Sequence, residues 1–102
     1  MRTDMSNKMP VGTTDGEILQ AVGLRLARLR KSRGLSQTAA ARLSGLSRRT
    51  VYAAEHGENP RMLTLIRLLR TYGSLEALDE FIPTSDISPI AIIDRLRRDV
   101  GA

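Results

Sequence analysis

Apolar residues recur along the chain at intervals of three and four, and no stretch alternates with the period of two that a half-buried strand requires. Thr14-Asp15-Gly16-Glu17 has capping-box spacing: a threonine caps the helix start and a glutamate three residues on reaches back. Ile18, Val22, Leu26 and Leu29 then share one helical face up to Gly34, a helix stop. Ser36 caps a short second helix over 37–43, ended by Gly45, and Ser47 caps a third over 48–56, ended by Gly57. Asn59-Pro60, a cap followed by proline at the first helical position, predicts a fourth helix that runs through Leu63, Ile66, Leu69 and Tyr72 to Gly73. Ser74 opens a short fifth helix that closes before Pro83. Ser88-Pro89 opens a last one, with Ile92, Ile93, Leu96 and Val100 on one side and Arg95, Arg97, Arg98 and Asp99 mostly on the other. The reading is all-α: a flexible arm over 1–13, one helical domain over 14–82, and an additional C-terminal helix over 83–102.

A chain of 102 residues has room for one small domain, which excludes large multi-domain enzyme architectures. Aromatic residues are only 3% of it, so Leu, Ile, Val and Ala must fill the interior. There is no cysteine and one histidine, His56, which excludes disulfides, thiol chemistry and a Cys/His zinc cluster. No cofactor or metal is expected. A single histidine without a partnered nucleophile argues against an enzyme, and a cation near a helix C-terminus is reason enough for it. The apolar runs are too short to span a bilayer and residues 1–10 lack a secretory signal's apolar stretch, so the expected location is cytoplasmic, with no membrane partner.

The net charge of +5 is unevenly placed. Residues 25–61 carry nine bases against two acids, whereas 1–24 and 62–102 each carry one more acid than bases. Concentration of the excess in one stretch points to a polyanion partner, against the plainer alternative of a solvated Arg-rich face. The same stretch holds two short capped helices separated by Ser44-Gly45-Leu46, a helix-turn-helix pattern with glycine where the tight turn needs a left-handed residue. Ala41 suits close helix contact, and Leu43, Leu46, Val51 and Ala54 are expected to face inward. If the third helix reads DNA, its first turn meets base edges. Arg48 and Arg49 stand there, with Tyr52 on their side of the helix three and four residues on. Arginine suits a bidentate contact with guanine, and Tyr52 a thymine methyl or a phosphate. The alternative makes the arginines surface charges and Tyr52 a packing residue. Ser47 suits a phosphate contact or is simply a cap, and Thr50 and Arg61 are weaker phosphate candidates.

From Leu35-Ser36-Gln37 to Glu55-His56-Gly57 the chain resembles the XRE family of phage repressor and Cro-like helix-turn-helix regulators, and the resemblance extends over roughly 22–81. It implies a lambda-repressor-like five-helix DNA-binding domain with the last helix as an addition. It implies a phosphate contact for Gln37 and a structural ion pair between Arg30 and Glu55. Ala40 and Ala54 stand where the family more often has larger apolar residues, so packing is looser there or Tyr52 leans in. Regulators of this kind act as dimers on inverted repeats. The expected homodimer surface includes Leu78, Phe81, Ile82, Ile93 and Leu96, the alternative being that the last helix packs back on the first. Ser74 to Pro83 with Ser88-Pro89-Ile90 also resembles the tail of HipB-type antitoxins. Two functions therefore stand: a repressor of transcription on double-stranded DNA, or an antitoxin that binds a toxin protein and regulates its own operon.

Overall fold

The computed structural model describes residues 14–82 and 89–101. The expected arm over 1–13, the cap Ser88, and the side chains of Asp99 and Val100 lie outside what is described. Helix α1 spans Asp15–Ser32, α2 Gln37–Ser44, α3 Arg48–Glu55, α4 Met62–Thr71 and α5 Pro89–Gly101, with a 3₁₀ turn over Leu75–Asp79 between α4 and α5. All regular structure among the described residues is helical, as the periodicity predicts. No helix among them is long and apolar enough to cross a membrane.

Local chemistry sets three of the starts. The Thr14 amide donates to Glu17 Oε1 at 2.9 Å while the Glu17 amide donates to Thr14 Oγ1 at 3.2 Å, a complete capping box. Ser36 accepts from the Ala39 amide and Ser47 from the Thr50 amide, each at 3.0 Å. The fourth start differs from the sequence reading. Asn59 does not cap α4; it adopts a left-handed φ of 44°, and α4 begins at Met62 behind an extended Arg61 that offers no side-chain cap. Asparagine tolerates both roles, and here the chain needs it to turn away from α3. The short fifth element is a 3₁₀ turn: Ser74 gives no side-chain cap.

The core joins Leu26 of α1, Ala40 and Ala41 of α2, Val51 and Ala54 of α3, and Leu68 and Tyr72 from α4 and its end. Val22, Leu29, Leu35, Leu46 and Leu65 pack around it, half-buried. One inward assignment is corrected. Leu43 is 65% exposed, because α2 turns Ala40, Ala41 and Ser44 inward, with Ser44 and Thr71 sharing a 2.6 Å hydrogen bond. On α4 the buried row is Thr64, Leu68 and Tyr72 at four-residue spacing, which leaves Leu63 53% exposed. Nor does Tyr52 lean in beside the small Ala40 and Ala54; it is exposed, and Tyr72 is the largest fully buried side chain. Burial pushes the Tyr72 phenol up to about 12.

Helix α1 crosses the end of α3 at backbone contact. A β-carbon on Gly23 would overlap the Glu55 carbonyl and lie 2.9 Å from the Ala54 carbonyl oxygen, and neither backbone group can yield. Gly23→Ala therefore destabilises the fold by about 1–3 kcal/mol, although alanine is the better helix former. Gly16→Ala, in the same helix with nothing within 4 Å of the new carbon, is the control and is neutral or slightly stabilising. Urea unfolding midpoints check both. Equal midpoints for the two variants would show that the close approach carries no energy.

Candidate nucleic-acid interface

Beneath the motif lies a buried ion pair. Arg30 Nε donates to Glu55 Oε2 at 2.7 Å, and its Nη2 to Oε1 at 3.0 Å, a bidentate arrangement between α1 and the last residue of α3. Arg30 Nη1 also donates to the Leu35 carbonyl at 2.8 Å, at the entry to α2. One guanidinium thus ties all three helices. The hydrogen bond to Glu55 raises the Arg30 guanidinium above its ordinary value, against the opposing pull of burial. Burial pushes the Glu55 carboxyl up, but hydrogen bonds from Arg30 and Gln37 and the charges of Arg30 and His56 outweigh it and hold the group below 4.5.

Gln37 opens α2, half-buried, and its amide nitrogen donates to Glu55 Oε1 at 3.0 Å. It is therefore part of the support beneath α3, a partnership sequence reasoning missed because nothing in the sequence links positions 18 residues apart. Arg67, also missed, donates from α4 to the Gly45 carbonyl at 3.3 Å and holds the turn of the motif. Arg33 likewise donates through Nε to the Tyr72 carbonyl at 2.7 Å, joining the ends of α1 and α4. Nothing in the sequence tells an arginine bonded to a distant carbonyl from one that is solvated.

With the frame held from below, the outer side of α3 faces solvent. Ser47 Oγ lies 2.8 Å from Thr50 Oγ1, so the two phosphate candidates form one hydroxyl pair at the N-terminus of α3. Arg48 and Arg49 are exposed in the first turn. The Arg49 guanidinium carbon is 5.9 Å from the Tyr52 ring centre. Tyr52 in turn stacks on His56, with ring centres 3.8 Å apart and planes 18° off parallel. His56 Nδ1 lies 2.8 Å from the Tyr52 carbonyl oxygen. Arg49, Tyr52 and His56 thus form one row at three- and four-residue spacing, a flat face edged by a cation. Arg61 stands apart, exposed at the cap of α4.

The five residues expected at a dimer surface lie on the last two elements. Leu78 is half-buried, whereas Phe81, Ile82, Ile93 and Leu96 are exposed, with Ile90 beside them on α5. Helix α5 lies against the 3₁₀ turn that carries Leu78.

A family model described as helix-turn-helix matches residues 26–78. Over 78 residues, 74% of this chain, the sequence is 37% identical to the HTH-type transcriptional regulator PuuR of Escherichia coli (strain K12), and equally to the PuuR of Shigella flexneri. The chain covers 41% of the length of each of these relatives. With 26–78 spanning more than half of its residues, from the C-terminal part of α1 through α4, the chain belongs to the XRE-type helix-turn-helix family.

Proposed function

We propose that the chain is a sequence-specific transcriptional regulator that places α3 in the major groove, and that it represses by occupying an operator, its own included. The observation that carries this reading is the row of exposed Arg48, Arg49 and Tyr52 on a helix clamped from beneath by the Arg30–Glu55 pair. A rigid helix with free donors at its N-terminal end fits base readout. Arg48 and Arg49 take guanine edges, and Tyr52 takes a thymine methyl or a phosphate. Ser47, Thr50, Gln37 and Arg61 hold the backbone; Gln37 keeps a second amide proton and its carbonyl beyond the bond to Glu55. An eight-residue helix reads few base pairs, so two copies act together on an inverted repeat, half-sites about 34–36 Å apart. The exposed apolar residues Phe81, Ile82, Ile93 and Leu96 support a dimer through the 3₁₀ turn and α5.

The test is selection from a random duplex library with the full chain, followed by footprinting on the winner and on the DNA upstream of its own gene, at two salt concentrations. An enriched inverted repeat with at least one guanine per half-site, weakening steeply as salt rises, is expected. Enrichment of a single half-site would remove the dimer and keep the reader. No enrichment, or protection smeared over all sequences, would overturn the function, and co-purification with a second protein would then favour the antitoxin reading.

A further inference from the structure

Glu58 is an acid set against the reading face of a basic protein. Its carboxylate Oε1 lies 3.5 Å from Nη2 of Arg49, the same guanidinium whose carbon is 5.9 Å from the Tyr52 ring centre. Both side chains face solvent, Arg49 at 75% and Glu58 at 48% exposure, so the pair adds little to fold stability. Its consequence must lie in where it keeps Arg49.

The backbone fixes Glu58 more firmly than a loop residue requires. Its amide donates to the Ala53 carbonyl at 3.0 Å while the Gly57 amide reaches the Ala54 carbonyl at 3.4 Å, the two bonds that close a helix in the Schellman manner. Gly57 meets this closure with a φ of 76° and sits on α1, where a β-carbon would come 2.9 Å from Gln20 Cγ. Asn59, left-handed in its turn, leads the chain away. Glu58 is thus held at a set distance from the first turn of α3, where Arg49 stands.

We infer that Glu58 is a positioning and selectivity residue for base reading, resting on the function proposed above: its carboxylate holds the Arg49 guanidinium in the orientation that meets guanine. Arginine has five donors in a planar fork, so two can engage the O6 and N7 of guanine while another edge keeps the carboxylate. A guanidinium so braced loses fewer rotamers on binding and is less able to swing onto a phosphate. The negative charge beside it repels backbone phosphates, which weakens binding that lacks the base contact.

Glu58→Gln keeps the shape and removes the charge. The probes are the duplex enriched by the wild-type full chain and a shuffled duplex of the same composition, each titrated with wild type, Glu58→Gln, Arg49→Ala and the double variant. Glu58→Gln is expected to bind the shuffled duplex more tightly and to lower the ratio of enriched to shuffled affinity by about fivefold, the upper range for an exposed pair. At the guanine that Arg49→Ala ceases to distinguish, Glu58→Gln discriminates less, and it adds nothing once Arg49 is alanine. An unchanged ratio, or the same change in the Arg49→Ala background, would overturn the inference and leave Glu58 a bulk charge. If wild type enriches no duplex, the proposed function fails first. The pairing is then decided in the free protein by the Arg49 Nε–Hε nuclear magnetic resonance signal: a shift in Glu58→Gln supports the brace, and an unmoved signal overturns it.

Discussion

Glu55→Ala lowers the unfolding free energy by about 3–5 kcal/mol, the usual result of leaving one member of a buried ion pair without the other. The Arg30 guanidinium keeps its bond to the Leu35 carbonyl but loses both carboxylate bonds in a place only 8% exposed, and Gln37 loses its acceptor as well. Small domains have about 5–15 kcal/mol in all, so the variant stands near the edge of folding. Replacing both partners with methionine removes the stranded charge and restores most of the loss, because burying the pair was itself costly. Urea unfolding of wild type, Glu55→Ala and the double methionine variant checks the order. A Glu55→Ala loss under about 1 kcal/mol would show that the pair carries little of the fold.

The same pair sets a pH dependence with a definite sign. The folded Glu55 carboxyl ionises below 4.5, its ordinary value, so the folded state binds fewer protons than the unfolded chain across that interval. The stabilisation is complete above the ordinary value and is lost as pH falls through the folded one. Protonated Glu55 leaves Arg30 as alanine does. The gap between wild type and Glu55→Ala therefore narrows as pH drops below 4.5. A gap that held its size to pH 2 would contradict the assignment.

What the sequence made legible divides by the range of the signal. The caps at Thr14, Ser36 and Ser47 are decided within four residues, and all three stand in the structure. Asn59-Pro60 is equally local but ambiguous, since asparagine serves a helix cap and a left-handed turn alike, and the choice is made by the closure of α3 before it. The phase of α2 misled for another reason: over eight residues several apolar rows fit, and the neighbour that chooses among them, Thr71, is 27 positions from Ser44. At the candidate site, exposure of Arg48, Arg49 and Tyr52 follows from their places on α3. The partnerships do not, because Gln37 with Glu55, Arg67 with Gly45 and Arg33 with Tyr72 form only when distant elements meet. The Arg30–Glu55 pair was anticipated through family resemblance, and spacing alone gives no reason to join positions 25 apart.

Arg48→Ala with Arg49→Ala removes most operator discrimination while leaving the fold intact. Both side chains are exposed, and neither takes part in the buried pair or the core, so the unfolding free energy changes by no more than about 0.5 kcal/mol. Each bidentate arginine–guanine contact is worth about 1–3 kcal/mol of discrimination, so losing both costs the enriched duplex from about thirtyfold to about twenty-thousandfold in affinity. The salt dependence separates the two ways in which the arginines can act. As base readers they carry sequence preference and their removal leaves the slope of affinity against salt nearly unchanged. As phosphate contacts their removal weakens every sequence alike and lowers that slope by about one unit per arginine. The contacts of Arg49 favour the first: its guanidinium carbon is 5.9 Å from the Tyr52 ring centre and its Nη2 3.5 Å from Glu58 Oε1, which leaves other donors of the five-donor fork for a base edge. A double variant that folds as wild type and binds shuffled and enriched duplexes with the wild-type ratio would remove α3 from the reading role altogether.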